Sequence, residues 1–252
     1  MQVLQLGSKG DDVHAWQFFL RGEGLYFDVV DGDFGPNTES ATRAFQIKYD
    51  IQPNGVFDAT TQTEAEMQGF ELQPDPSEDQ TGPNWPAPPT DLKPLSQEGR
   101  QQLFGTFKFT PVPAANNPEA ILVDATWVRE NIVQVKLTQA NRSVPFHKLG
   151  AEKLTALFNA WVDDGLIARL KTWDGSYAPR FIRGSRTVLS AHAWGSAFDI
   201  NAGYNPLGAV PALFGKKGCV RELVARANEM GFYWGGHFPG RKDGMHFELV
   251  RL

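Results

Sequence analysis

The chain has 252 residues, a formal charge of -5 from 24 Lys and Arg against 29 Asp and Glu, and 41% hydrophobic residues. That length and apolar content support a buried core in one large domain or two smaller ones, and exclude a fibrous or wholly disordered protein. The acidic balance gives no electrostatic reason to expect nucleic acid, no window approaches the run of about 20 apolar residues that a spanning helix needs, and a lone Cys219 can form no internal disulfide and reads as core.

In chain order, Asp11 or Asp12 is placed to cap a helix in which Val13, Trp16 and Leu20 recur on one face, and a Gly-containing turn at 22–24 ends it. A second helix is expected near Pro36, with Thr38, Ala41, Ala44 and Phe45. The segments GDFGPNT (32–38) and GVFDATT (55–61) echo one another as G-x-F-x-x-x-T. Each Gly permits a tight turn, each Phe can plug a small core, and each Thr stands at a helix start, so a bundle of about three short helices is predicted.

Residues 3 to about 70, with LQLGSKGDDVHAWQFFL, DGDFGPNTESATRAFQ and NGVFDATTQTEA, resemble the peptidoglycan-binding domain appended to bacterial and phage cell-wall hydrolases. The resemblance implies a non-catalytic module over 1–71 that holds wall glycopeptide in a shallow groove. From Leu72 to Pro94 the composition changes, and seven of the 17 prolines fall there. Such a segment favours extended polyproline II and is read as a linker over 72–94.

Beyond the linker, Leu154, Leu157, Phe158, Trp161, Val162 and Leu166 form one apolar helical face, and Val220, Leu223, Val224, Ala227 and Met230 form another. Strand-like runs are AILVDATWV (120–128), IVQVKL (132–137), LIARLKTW (166–173), AFDIN (197–201) and MHFELVRL (245–252). Helices and strands mix without βαβ alternation. The expected fold class is therefore α+β, a small N-terminal three-helix bundle followed by a domain over 95–252 with a mainly antiparallel sheet flanked by helices.

Chemistry concentrates in LSAHAWGSAFDIN (189–201) and WGGHFPGRKDGMHFELV (234–250). Catalytic zinc sites use three protein ligands and keep a fourth position for water, a count that His192, Asp199 and His246 meet. Asp243 is then left to take the water's proton. In a strand MHFEL, His246 and Glu248 face the same side, which makes Glu248 a partner for an imidazole N–H. Gly195, Ser196 and Ala197 let the backbone pass close to other elements, and Trp194 and Trp234 are expected to wall the cleft. His237 is an alternative ligand or proton donor, whereas His14 and His147 read as structural or surface residues.

SAHAWGSAFDI with DGMHFE resembles the M15 zinc metallopeptidases, whose motif S-x-H-x-x-G-x-A-x-D is followed later by D/E-x-x-H. Ser190, His192, Gly195, Ala197 and Asp199 fit the first half, and Asp243 and His246 the second. The resemblance implies Zn2+ as cofactor, His192, Asp199 and His246 as its ligands, and Asp243 as general base. It also implies a substrate-binding role for Ser190 and for an Arg before the first motif, for which Arg180 and Arg183 compete, with Tyr177 a weaker contact. The implied function is an endolysin-like peptidoglycan peptidase cutting a stem-peptide bond, L-alanyl-D-glutamate first. Alternatives are a D-alanyl-D-alanine carboxypeptidase, a cross-link endopeptidase, or a zinc-stabilised wall-binding protein without activity, as in the similar Hedgehog signalling domain. The expected partner is bacterial peptidoglycan, with no nucleic acid and no membrane, for a monomer. The N-terminus shows no basic segment followed by an apolar core, so synthesis in the cytoplasm and phage-type or secretion-system release to the wall are expected.

Overall fold

A computed structural model describes residues 3–70, 85–115 and 117–252. Three helices open the chain: α1 (Asp11–Gly22), α2 (Pro36–Lys48) and α3 (Ala59–Met67). Trp16, Phe19, Phe45, Phe57 and Phe70 fill the space between them. The N-cap of α1 is Gly10 and not Asp11 or Asp12, whose carboxylates lie in the first turn, where they favour the positive end of the helix dipole. Asp58 caps α3 by accepting from Thr61 N at 3.0 Å.

The echoed segments are a structural repeat with a brace that the motif alone does not reveal. Gln17, fully buried on α1, accepts from Asp31 N and Gly32 N and donates to Asp33 O and Thr38 Oγ1, both at 2.9 Å. Gln46, fully buried on α2, accepts from Gly55 N at 2.9 Å and donates to Val56 O at 3.0 Å and Thr61 Oγ1 at 2.9 Å. Each amide thus replaces the water that a buried turn would otherwise lose.

Most of the linker expected over 72–94 lies outside the described residues, but from Trp85 the chain packs onto the C-terminal domain. The Trp85 ring lies 5.2 Å from that of Trp234, with the Arg221 and Lys242 cations 5.0 and 5.7 Å from its centre. Leu92 is buried.

The C-terminal part contains α4 (Gln97–Phe104), β1 (Phe109–Pro111), β2 (Ile121–Val123), α5 (Ala125–Asn131), β3 (Ile132–Leu137), β4 (Arg142–His147), α6 (Ala151–Asp163), β5 (Trp173–Gly175), β6 (Ala197–Ile200), α7 (Arg221–Glu229), β7 (Phe232–Trp234) and β8 (His246–Leu249). The run AILVDATWV is strand only to Val123, because Asp124 accepts from Trp127 N and starts α5. LIARLKTW likewise holds a 310 turn before the strand begins at Trp173.

The α+β class stands, and the strand pairings are antiparallel: β1 with β2, β3 with β4, and a four-stranded sheet in the order β5-β6-β8-β7. The pleat of this sheet separates packing from chemistry. Phe198 pairs with Phe247, their rings stacked at 5.4 Å, and both lie against Phe158 or Trp161 of α6. One residue along, Asp199 pairs with His246 on the opposite face.

Candidate metal centre

Two strands and one turn build the site. Asp199 on β6 and His246 on β8 are register partners, so the ladder itself fixes their separation. His192 arrives from a 310 turn, Ala191–Trp194, that precedes β6. Gly195 then takes φ 65°, the left-handed region, and a Cβ there would lie 2.9 Å from Ile132 Cδ1. Its carbonyl receives His147 N at 2.8 Å, which ties the ligand turn to the β3–β4 hairpin.

The donor atoms converge. His192 Nε2 lies 3.1 Å from Asp199 Oδ1 and 3.1 Å from His246 Nδ1, and His246 Nδ1 lies 3.0 Å from Asp199 Oδ1. Four-coordinate ligands with bonds of about 2 Å stand about 3.3 Å apart, so this triangle is close to one face of such a tetrahedron. Mutual hydrogen bonding is a poorer account, because the other ring nitrogens are already committed as donors. His192 Nδ1 lies 2.6 Å from Ser176 O, and His246 Nε2 lies 3.3 Å from Glu248 Oε2. These partners select the tautomers that turn both lone pairs toward one point. Among the described residues, the group that could hold a metal ion is His192, Asp199 and His246.

Electrostatics follow from burial and charge. Burial opposes ionisation of Asp199, but His192 and His246 outweigh it and hold its carboxyl below the usual range. With no ion in place, burial lowers the pKa of His192, whereas for His246 burial is overcome by the hydrogen bonds to Asp199 and Glu248, which raise it; an ion at the cluster would take the place of that proton. Glu248 is itself gripped by Arg100 Nη2 at 2.9 and 3.1 Å.

Burial raises the Asp243 carboxyl to about 7, with a further push from the Asp199 charge against the pull of His246 and Arg180. Its Oδ1 is buried without a hydrogen-bond partner among the described residues. An orphaned carboxylate oxygen beside a three-donor cluster fits a site whose remaining contact is a ligand or water rather than protein.

The two arginines separate. Arg180 is largely buried, is acted on by the charges of Asp199 and Asp243, and has no side-chain hydrogen bond or ion pair among the described residues. Arg183 is exposed and sits 3.5 Å from Glu119. Ser190, expected at the substrate, lends its hydroxyl oxygen to His192 N at 3.4 Å and starts the ligand turn. Trp194 and Trp234 do not wall the cleft. Both are core, with indole N–H groups donating to Gly105 O at 2.9 Å and Gly244 O at 2.7 Å.

His237 is not among the converging donors, since its Nε2 lies 2.8 Å from Pro86 O. Tyr177 is half-buried, with its phenol pushed up by burial. His147 is structural, bonded to Phe104 O at 3.1 Å and lowered by burial to about 4.

Ser176 and Arg100 escaped sequence reading. Ser176 acts through its backbone carbonyl, which no side-chain motif reports. Arg100 lies 148 positions from its partner Glu248, and only its inward-facing spacing with Phe104 on α4 hints at burial.

Residues 9–64 match the peptidoglycan binding domain family, and residues 183–249 match the D-alanyl-D-alanine carboxypeptidase family of M15 peptidases. Two spore cortex-lytic enzymes of Bacillus cereus are 42% identical over 60 residues, 24% of this chain and 23% of theirs, so the chain spans less than a quarter of the length of these curated relatives. Among solved structures, the SleB N-terminal domain shares 38% identity over 26% of this chain and 90% of that one, with a TM-score of 0.26. The Burkholderia AP3 phage endolysin shares 16% identity over 64% and 52% of the two chains, with a TM-score of 0.25.

Proposed function

We propose that this chain, in which a peptidoglycan-binding domain precedes an M15-type peptidase domain, is a zinc-dependent peptidoglycan hydrolase that cuts a stem-peptide bond, L-alanyl-D-glutamate first. The observation that carries the reading is the triangle of His192, Asp199 and His246 donors beside the unpartnered Oδ1 of Asp243.

His192 Nε2, Asp199 Oδ1 and His246 Nδ1 are the atoms that would hold the ion. When bound, zinc supplies a Lewis acid that acidifies water and polarises a carbonyl. Asp243 takes a proton from the attacking water at its carboxylate and returns it to the leaving amine. Burial, which raises the Asp243 carboxyl, favours its holding the proton between the two halves of that transfer. Arg180, whose guanidinium has no side-chain partner among the described residues, holds a substrate carboxylate, and Arg183 contributes at the rim. Glu248, anchored by Arg100, keeps the His246 ring oriented.

An Arg180 without a side-chain partner among the described residues suits the α-carboxylate of D-glutamate and equally a terminal D-alanine, and the match to a D-alanyl-D-alanine carboxypeptidase family supports the second substrate as the alternative. Digestion of purified sacculi by zinc-loaded protein, with mass spectrometry of the fragments, tests both. New amine ends on D-glutamate support the first reading and free D-alanine the second. No new ends across several wall types, with zinc bound, would leave only a wall-binding protein.

A further inference from the structure

The seam between the two domains is built around a buried carboxylate that the proposed chemistry does not use. Glu23, just past α1, has a side chain only 4% exposed. From its own domain it receives Lys48 Nζ at 2.8 Å and Tyr49 OH at 2.6 Å. From the C-terminal domain it receives Lys217 Nζ at 2.6 Å and Tyr204 OH at 3.0 Å. Tyr204, Ala212 and Cys219 pack into the same apolar cluster as Trp16, Phe19 and Phe70. The Tyr204 ring meets Phe19 edge-on at 5.7 Å.

Contact across the seam is close enough to exclude a single methyl group. A Cβ on Gly203 would lie 2.5 Å from Phe18 O, and one on Gly69 would lie 2.3 Å from Lys217 Cβ. Gly203 and Tyr204 belong to the turn 201–205, which leaves β6 directly after Asp199 and Ile200. That turn is stiff. Asn201 sits at φ 54° with its side chain bonded to Lys171 N, Thr172 N, Arg169 O and Gly218 O. Asn205 donates to Asn201 O and Gly218 O, both at 2.9 Å.

We infer that residues 3–70 are an integral part of the catalytic unit, clamped by Glu23 and the Phe18–Gly203 contact to the turn that follows Asp199, so that Glu23, Tyr204 and Gly203 are positioning residues for that metal ligand. The surface around Tyr204 and Lys217 is a docking face whose occupant is the chain's own binding domain. Wall attachment and cleavage are then performed by one rigid body, and a strain on the binding domain reaches β6 without crossing the linker. The positioning half of the inference rests on the proposed metal site, whereas the docking half does not.

The test uses the full chain with Glu23→Lys, which sets a cation against Lys48 and Lys217, and Gly203→Ala. The second variant leaves the 3–70 domain untouched, and Gly203 does not need a left-handed backbone, so Phe18 O is the obstacle it meets. The parent is expected to unfold in one calorimetric transition and to scatter with a radius of gyration near the roughly 18 Å of a compact chain this long. Each variant is expected to split the transition in two, to raise the radius by several Å, and to weaken zinc binding about tenfold. Turnover of a soluble stem peptide, which needs no wall attachment, is expected to fall about tenfold or more through misplacement of Asp199.

A parent that already shows two transitions and an extended radius overturns the docking. Separated domains with unchanged zinc affinity overturn the positioning role. If the chain hydrolyses nothing at all, calorimetry, scattering and zinc affinity still decide the inference, and only the proposed function fails.

Discussion

At the scale of single residues, the site divides its labour between atoms that converge and atoms that hold them. Among the described residues, Asp243 is the acidic group of the cluster with an unpartnered buried oxygen. Asp243→Asn is therefore expected to lower turnover by about 10²–10⁴-fold while zinc stays bound, as read by kinetics beside metal analysis. Glu248→Gln removes the acceptor that fixes the His246 tautomer and is expected to weaken zinc binding by about 10–100-fold, as measured by competition with a chelating dye. The convergence of His192, Asp199 and His246 and the contact from Glu248 were legible in sequence because local spacing carries their geometry. His246 and Glu248 alternate on one strand, and His192 and Asp199 bracket a small-residue turn. The hydrogen bond from His192 N to the Ser190 hydroxyl was not legible, because a motif position does not report a side chain's backbone partner. The same motif could not tell the surroundings of Arg180 from those of Arg183. That difference depends on Glu119, which receives Arg183 at the exposed rim and has no local link to either motif.

At the scale of elements, AFDIN and MHFELVRL read as strands from sequence, and the structure adds the register, in which Phe198 opposite Phe247 sets Asp199 opposite His246. Trp194 and Trp234 show the opposite limit. Their place beside the motifs suggested a cleft wall, yet each ring is core because its indole N–H finds a backbone carbonyl inside. In the N-terminal helices the G-x-F-x-x-x-T echo was visible, but its buried braces were not, since a glutamine on a helix reads as solvent-facing until its partners are known. Gln17→Ala strands the Thr38 turn and the Asp31 and Gly32 amides. The expected loss is about 2–4 kcal/mol of stability by urea unfolding, and Gln46→Ala is expected to behave alike.

At the scale of the whole molecule, acid stability reports the seam. Burial pushes the Glu23 carboxyl up, but hydrogen bonds from Lys217, Lys48 and Tyr49 outweigh it and hold the folded value at about 2, against 4.5 when unpaired. Because the folded value is the lower one, this stabilisation is complete above 4.5 and is lost as pH falls toward 2. Its size is on the order of 3 kcal/mol. Melting temperatures of the parent are expected to fall faster over that window than those of Glu23→Gln, which carries no titrating group there. Composition had separated two domains and a proline-rich segment, but nothing local could show that the domains touch. Glu23 and Lys217 are 194 positions apart, and neither is unusual in its own neighbourhood.

The described residues on either side of 71–84 both meet the C-terminal domain. Gly69 lies against Lys217, while Trp85 lies on Trp234 with Pro86 O receiving His237. If the seam holds as inferred, a protease cut between residues 70 and 85 is expected to yield two fragments that elute together from a sizing column and part only in denaturant, as the halves of a split protein that need no tether would.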